Sequence, residues 1–170
     1  MKASLLLASF FLTSIAIAAP KVENKSVYTD ITKDCVTIQA SNDKSEIDFL
    51  ETECKSFGGY TLKISGGDLR YGPELSFAGQ EIDLQRPGGF HDTASANIEW
   101  MYQLTSNEDG TGSIKWKGLI YRLSVSDENG TNSSVLYSVR LDGAKSCLIG
   151  KSKDNAVARQ LVLASKPNCK

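Results

Sequence analysis

The sequence has only one histidine, His91, among its 170 residues, and this scarcity limits the catalytic chemistry that the chain can offer. A nucleophile–histidine–carboxylate triad needs a histidine as its base, so His91 with Asp92 is the starting point that the sequence provides. No two cysteines have the C-x2-C spacing of zinc sites, and one histidine alone cannot complete such a site. We therefore predict no metal site and assign no catalytic residue.

Clusters of basic residues with interleaved aromatics are also missing, and they are what nucleic-acid binding calls for. The 19 basic and 20 acidic residues are scattered along the chain. We therefore predict no nucleic-acid partner. The glycine pairs 58–59 and 66–67 lack the spacing of phosphate-binding or dinucleotide-binding loops. They instead predict turns, in which glycine adopts a positive φ without steric cost, and no cofactor is expected.

The first 19 residues have the pattern of a secretory signal peptide. Lys2 supplies a positive charge, residues 5–12 form an apolar run, and Ala16, Ala18 and Ala19 are small residues of the kind found at a cleavage site. The apolar run is shorter than the roughly 20 residues that span a bilayer. We expect a signal peptide over residues 1–19, then one β-rich domain over residues 20–170 that has no membrane span.

The four cysteines of the predicted mature chain are Cys35, Cys54, Cys147 and Cys169. An even number of cysteines in an exported chain predicts disulfides, because the compartments that receive such chains are oxidising. Three pairings are possible. We favour Cys35 with Cys54 and Cys147 with Cys169, because neighbours in the chain lose the least entropy when they are brought together.

Alternation of apolar and polar residues predicts strands over most of the chain. The clearest segments are residues 60–65, 97–104, 114–125 and 135–141, and the alternation changes phase at Gly118, which predicts a β-bulge. Weaker patterns cover residues 36–39 and 69–77, and Pro73 predicts an edge position for the second of these. The pattern indicates a mainly β (α+β) fold, an antiparallel twisted sheet or an open barrel or sandwich.

One segment near the C-terminal end has helical spacing. Val157, Leu161 and Ala164 recur on one face, Asp154 is suited to cap the first turn, and Pro167 would end the helix. The sequence therefore predicts one C-terminal helix that covers a disulfide-bonded sheet.

Several short motifs in a fixed order resemble a family of signal-peptide-bearing proteobacterial exported proteins of uncharacterised function. The motifs are Thr-Asp-Ile with Cys35 after it, Cys-x3-Gly-Gly-Tyr from Cys54, Gly-Asp-Leu-Arg over residues 67–70, Cys147, and the Asn-Ala-Val-Ala-Arg helix over residues 155–159. The resemblance implies an exported protein of a Gram-negative bacterium. It brings no activity, cofactor or catalytic residue with it.

Asp68, Arg70 and His91 are the candidate binding residues. Arg70 could hold a carboxylate or phosphate through two parallel hydrogen bonds, but an arginine beside a turn aspartate more often forms a structural ion pair. His91, which lies in a glycine-rich loop, is otherwise expected to be an exposed loop residue. The sequence favours a non-catalytic periplasmic or secreted protein that binds another protein or a cell-envelope component. A small hydrolase using Asp68 with Arg70, or His91 with Asp92, and a protein like the lysozyme inhibitors are the alternatives.

The roles of four aromatic residues and of one segment stay open at the level of sequence. Aromatic residues at positions 100, 102, 116 and 121 predict either a binding face or simply the core of the sheet. Residues 80–96 have no pattern that predicts an element or a role. The oligomeric state is not predicted by the sequence.

Overall fold

A computed structural model describes residues 19–41, 48–107, 109–126 and 129–164, together with Cys169. The predicted signal peptide lies outside the described residues except for Ala19. Pro167, which is predicted to end the helix, also lies outside them.

The described residues form a sheet of 11 strands and one α-helix. The strands are β1 Lys21–Asp30, β2 Cys35–Ala40, β3 Phe49–Cys54, β4 Tyr60–Gly67, β5 Arg70–Phe77, β6 Gln80–Ile82, β7 His91–Thr93, β8 Asn97–Ser106, β9 Gly112–Ser126, β10 Asn132–Arg140 and β11 Cys147–Ser152, and the helix is α1 Asn155–Leu163.

The sheet curls into a half-barrel with the strand order β1-β8-β9-β7-β5-β4-β3-β2. β10 pairs with β9 and β11, and β6 pairs with β5. Neighbouring strands are antiparallel except β5 and β7, which are parallel and joined by the single pair Arg70 and His91. The predicted mainly β fold with one helix is confirmed, with this parallel contact as an addition.

The phase change at Gly118 corresponds to a β-bulge. Met101 of β8 lies opposite Gly118, whereas Tyr102 lies opposite Trp116, so Lys117 is the extra residue on β9. This insertion reverses the inward and outward positions along β9, which is why the apolar residues change phase in the sequence. The predicted hairpin between β9 and β10 is also confirmed.

Both faces of the sheet are covered around β8 to β11. The inner face holds the larger core, with Trp100, Leu119 and Tyr121 fully or nearly fully buried. Met101 and Ile120, which follow Trp100 and Leu119 along their strands, belong to a second cluster under α1. Because successive side chains of a strand point to opposite faces, each face of the sheet has its own apolar set.

α1 begins as the sequence predicts. The Asp154 carboxylate accepts hydrogen bonds from the amides of Ala156 and Val157 at 2.7 and 3.1 Å. These amides lie in the first turn of the helix, where they have no intrahelical partner. The helix packs Ala158 and Val162 against the sheet. Across the described ranges, no helix has the length and apolar character that crossing a membrane requires.

Two disulfides join the predicted pairs of cysteines. Cys35 and Cys54 are bonded and lie opposite each other on β2 and β3. Cys147, at the start of β11, is bonded to Cys169 beyond the helix. The first disulfide fixes a strand at the end of the sheet order, and the second links the chain after α1 back to the sheet.

The prediction that Pro73 places its strand at an edge is wrong. β5 lies between β4 and β7. Proline is tolerated here because β7 pairs with β5 only at Arg70 and β6 pairs with it only from Leu75 to Phe77, so Pro73 faces no strand on that side. The guanidinium of Arg86 occupies the gap and donates hydrogen bonds to the carbonyls of Gly72 and Pro73 at 3.1 and 3.3 Å.

Candidate functional site

A two-residue turn between β4 and β5 brings the predicted binding residues together. Gly67 pairs with Arg70, and the residues between them, Asp68 and Leu69, have φ values of 52° and 62°. Positive φ at both central positions is typical of a type I′ hairpin turn, in which Asn-Gly is the favoured sequence. Leucine in this left-handed region is strained, because its Cβ approaches the following carbonyl oxygen.

The neighbouring glycines have a different role from the predicted one. Gly66 and Gly67 end β4 instead of forming the turn. A Cβ on Gly67 would lie 2.3 Å from the carbonyl oxygen of Asp48, so this glycine allows two backbone segments to approach closely. Gly58 and Gly59, in contrast, have the predicted positive φ values of 67° and 79° in the turn before β4.

Arg70 forms both an ion pair and an aromatic contact. Its Nη1 atom lies 2.5 Å from Oδ2 of Asp68, and its guanidinium lies 5.0 Å from the centre of the Phe90 ring. The Asp68 carboxylate is two-thirds exposed, so solvent weakens this ion pair. Of the two roles expected for Arg70, the structure therefore shows the ion pair with a turn aspartate.

The expectation of an exposed loop position for His91 is wrong. His91 is 5% exposed and lies in β7, between Arg70 on β5 and Val125 on β9. Its Nδ1 is 2.7 Å from the carbonyl oxygen of Gly89. Since a carbonyl oxygen only accepts hydrogen bonds, Nδ1 carries a proton in this contact. Nε2 is buried and has no hydrogen-bond partner among the described residues. The ring is buried because β7 lies between β5 and β9 and pairs with both.

An open cleft of about 760 Å³ adjoins the turn. It is lined by Arg70, the loop Pro87 to Phe90, Val125, Ser126, Gly130 and Asn132. Arg70 is the one candidate residue among these lining residues, and neither Asp68 nor His91 lines the cleft. The three residues are therefore close in space, but they do not converge in one pocket.

The cleft residues show hydrogen bonds that suit binding better than catalysis. The Ser126 hydroxyl donates to the side-chain oxygen of Asn132 at 2.5 Å, so its partner is an amide and not a base. His91 and Asp92 are neighbours on one strand, so their side chains point to opposite faces. Asp92 instead accepts hydrogen bonds from the amide and hydroxyl of Thr93. Among the described residues, no group of three or more metal-ligating side chains is present.

Two other carboxylates, those of Glu74 and Glu99, serve the fold. Glu74 lies 3.1 Å from Nη2 of Arg86 and accepts a hydrogen bond from Ser65. Glu99 is buried and paired with Arg159 of α1 at 2.8 Å. Each of these carboxylates therefore forms an ion pair with an arginine that belongs to the fold.

Sequence reasoning missed two residues of this site. The sequence pattern places Leu69 at the start of a strand, whereas in the structure it lies at the exposed tip of the turn. Phe90 lies in the segment 80–96, in which short strands and an irregular loop leave no periodicity to detect. The Gly-Asp-Leu-Arg motif was the available signal, because a turn at Asp-Leu would expose the leucine.

The aromatic residues considered as a binding face are mainly core. Trp100 and Tyr121 are 0% and 3% exposed, and Tyr102 and Trp116 are half-buried. The Trp100 indole donates a hydrogen bond to the hydroxyl of Thr29 at 2.9 Å, which satisfies its polar group.

The fold and the site define a disulfide-bonded, half-barrel β protein with a strained, exposed turn beside a surface cleft. Comparison of the chain with protein-family models, with curated proteins and with solved structures found no match.

Proposed function

We propose that this protein is exported to the periplasm or the cell exterior and binds another protein or a cell-envelope component without catalysing a reaction. The observation that carries the proposal is Leu69, a large apolar side chain that is 64% exposed at the tip of a strained turn.

Strain at this turn supports a binding role. A left-handed conformation costs a residue other than glycine roughly 1–2 kcal/mol. Glycine at position 69 would avoid this cost. Strained backbone is found where the surrounding structure holds a side chain in place for function, so retaining leucine at the tip favours a contact role for that side chain.

The surroundings of Leu69 have the composition of an interaction site. Phe90 is 45% exposed and packs against the Arg70 guanidinium at the rim of the cleft. Aromatic residues and arginine are enriched among the residues that dominate binding energy at protein interfaces. Leu69, Arg70 and Phe90, which we call the turn patch, therefore form a compact anchor for a partner.

Export is supported by the signal-like segment and by the two disulfides. Disulfides persist in oxidising compartments, and both bonds join cysteines of the predicted mature chain. The resemblance to signal-bearing proteobacterial proteins agrees with this assignment. N-terminal sequencing of the exported protein is expected to begin at Ala19 or Pro20, and an intact Met1 there would contradict the assignment.

The binding experiment uses Leu69→Gly, which removes the apolar side chain and relieves the backbone strain together. We expect this variant to be as stable as the wild type or up to about 1 kcal/mol more stable, because relief of strain outweighs the greater flexibility of glycine in the unfolded chain. We expect the Leu69→Gly variant to capture about tenfold less of its partner than the wild type does. Periplasmic extracts, envelope extracts and purified lysozymes serve as the sources of the partner.

The matched control is Ala78→Gly. Ala78 also has a positive φ, 50°, in the turn between β5 and β6, but it carries no large exposed side chain. The Ala78→Gly variant should gain a similar amount of stability to Leu69→Gly, and it should capture the partner as well as the wild type does. Undiminished capture by Leu69→Gly would contradict the turn patch, and a substrate turned over by the wild type but not by His91→Ala would favour the hydrolase instead.

A further inference from the structure

A second cavity lies next to the turn patch and begins at the residue that follows Arg70 on β5. Arg70 lines the first cleft, and the next residue, Tyr71, lines a cavity of about 280 Å³. Its lining is Ile31, Leu50, Thr52, Ile64, Tyr71, Asp92 and Thr93. The two cavities share no lining residue.

The floor of this cavity is apolar. Ile31 and Leu50 are half-buried, and Ile64 is buried in the core. Thr52 lies opposite Ile64 on the neighbouring strand, and its hydroxyl donates to the Ile64 carbonyl at 3.3 Å. The floor is therefore suited to hydrocarbon, and the hydrogen-bonding capacity of Thr52 is partly used within the sheet.

The rim, in contrast, is negatively charged. The Asp92 carboxylate lines the cavity, and the Asp48 carboxylate accepts a hydrogen bond from the Tyr71 hydroxyl. Within the described part of the chain, neither carboxylate forms an ion pair with a lysine, an arginine or the histidine. Arg70, which lines the first cleft, is by contrast already paired with Asp68.

The electrostatics of Tyr71 agree with this geometry. The hydrogen bond to Asp48, then burial, then the charges of Asp48 and Asp92 raise the pKa of Tyr71 to about 12. Both carboxylates therefore act on the same hydroxyl at the cavity wall. The phenol stays protonated near neutral pH, so it adds no third negative charge.

We propose that this cavity binds an organic cation with a short apolar body, such as an alkylammonium group. The hydrocarbon chain would pack on Ile31, Leu50 and Ile64, and the ammonium group would pair with Asp92 and Asp48 at the rim. The volume is near the lower end of the roughly 300–1,000 Å³ range of small-molecule pockets, so the ligand is small. The site shares no residue with the turn patch and stands independently of the proposed function.

The test is a titration with n-hexylammonium, compared with n-hexanol and hexanoate, which share its hydrocarbon chain but differ in charge. Amide chemical shifts of Leu50, Ile64 and Thr93 report binding. We expect hexylammonium to bind at least tenfold more tightly than hexanol, and hexanoate to bind most weakly. Equal affinity for hexylammonium and hexanol, or no shift at these amides with hexylammonium, would overturn the proposal.

Asp92→Asn tests the role of charge in this site. The change keeps the size of the side chain, and we expect it to weaken hexylammonium binding by about tenfold and to leave hexanol binding unchanged. Glu81→Gln is the control, because it removes an exposed carboxylate of β6 that does not line this cavity. Equal losses in the two variants would show a general charge effect and would contradict the assigned site.

A competition experiment distinguishes a small-molecule amine from a lysine side chain as the natural source of the cation. Nα-acetyl-lysine amide presents an alkylammonium group on a peptide backbone. Competition by this compound would identify a lysine side chain of a polypeptide as a sufficient ligand, whereas competition by free alkylamines alone would identify a small molecule. Either result supports the alkylammonium assignment.

Discussion

Arg159 of α1 holds the carboxylate of Glu99 through its Nε atom, at 2.8 and 3.1 Å from the two carboxylate oxygens. The Ser26 hydroxyl donates to the same carboxylate at 2.5 Å, and Arg159 also donates to the hydroxyl of Tyr28 at 3.1 Å. Glu99 is 8% exposed. The contacts connect α1 with β1 and β8, so this carboxylate fixes the helix to the sheet.

Arg159→Met is expected to destabilise the protein by about 2 kcal/mol, because it leaves a buried carboxylate without its cation. Breaking fully buried pairs costs roughly 3–5 kcal/mol, and the partial exposure of Arg159 lowers that value. Chemical denaturation measures the change. Lys25→Met, which removes an exposed ion pair with Glu23, is the control and should have no measurable effect. Equal stability of the Arg159 variant and the wild type would contradict a structural role for the pair.

Gly118→Ala is expected to destabilise the protein by roughly 1–3 kcal/mol through overpacking. A Cβ at this position would lie 2.4 Å from Cγ1 of Val162 and 2.8 Å from the carbonyl oxygen of Val139. Gly118→Ala combined with Val162→Ala should recover part of the loss if the helix contact causes it, and thermal unfolding of the single and double variants measures this. A double variant whose losses are simply additive would contradict that cause.

Stability is expected to fall at alkaline pH because three tyrosines resist ionisation in the folded state. The hydrogen bond to Asp48 raises the pKa of Tyr71 to about 12, and burial raises the pKa of Tyr121 and of Tyr137. Unfolded tyrosine ionises near pH 10. Because the folded pKa values are raised, this contribution is fully present below about pH 10 and is lost as the pH rises through the folded values.

The measurement is denaturation between pH 8 and 12, with tyrosinate absorbance recorded in parallel. Tyr121→Phe removes a raised pKa and should make the alkaline loss of stability smaller. An unchanged slope in this variant would show that Tyr121 does not contribute.

Removing the Cys35–Cys54 disulfide by Cys35→Ser with Cys54→Ser is expected to cost about 3 kcal/mol. The two cysteines are 19 residues apart, and a disulfide that closes a loop of this length removes a corresponding entropy from the unfolded chain. Denaturation of the double variant measures the cost, and peptide mapping without reduction checks the pairing. Recovery of a Cys35–Cys147 peptide from the native protein would contradict the structure.

Much of the fold is predictable from local sequence because period-2 alternation, the Gly118 phase change and the Asp154 cap depend on neighbouring residues. Pro73 shows the limit of this reasoning. Its strand lies inside the sheet, and the proline is tolerated there because β6 and β7 leave a gap beside it that Arg86 fills. That gap depends on residues far away in the sequence.

The candidate site follows the same division. Asp68 and Arg70 were found because a turn aspartate and an arginine two residues apart form a local ion pair. The burial of His91 depends on β5 and β9 lying on either side of β7, which no local pattern indicates. Asp92 was considered only as a partner of His91, although its side chain belongs to a different cavity.

β5 and β7 are paired only at Arg70 and His91, so this junction has fewer strand-pairing contacts than the rest of the sheet. We refer to it as the seam. Both cavities cross this seam, since each takes lining residues from β5 on one side and from β7, its preceding loop or β9 on the other. A molecule bound in either cavity would therefore brace the junction. Hydrogen exchange at the amides along it would slow on binding, even for a ligand that touches none of them.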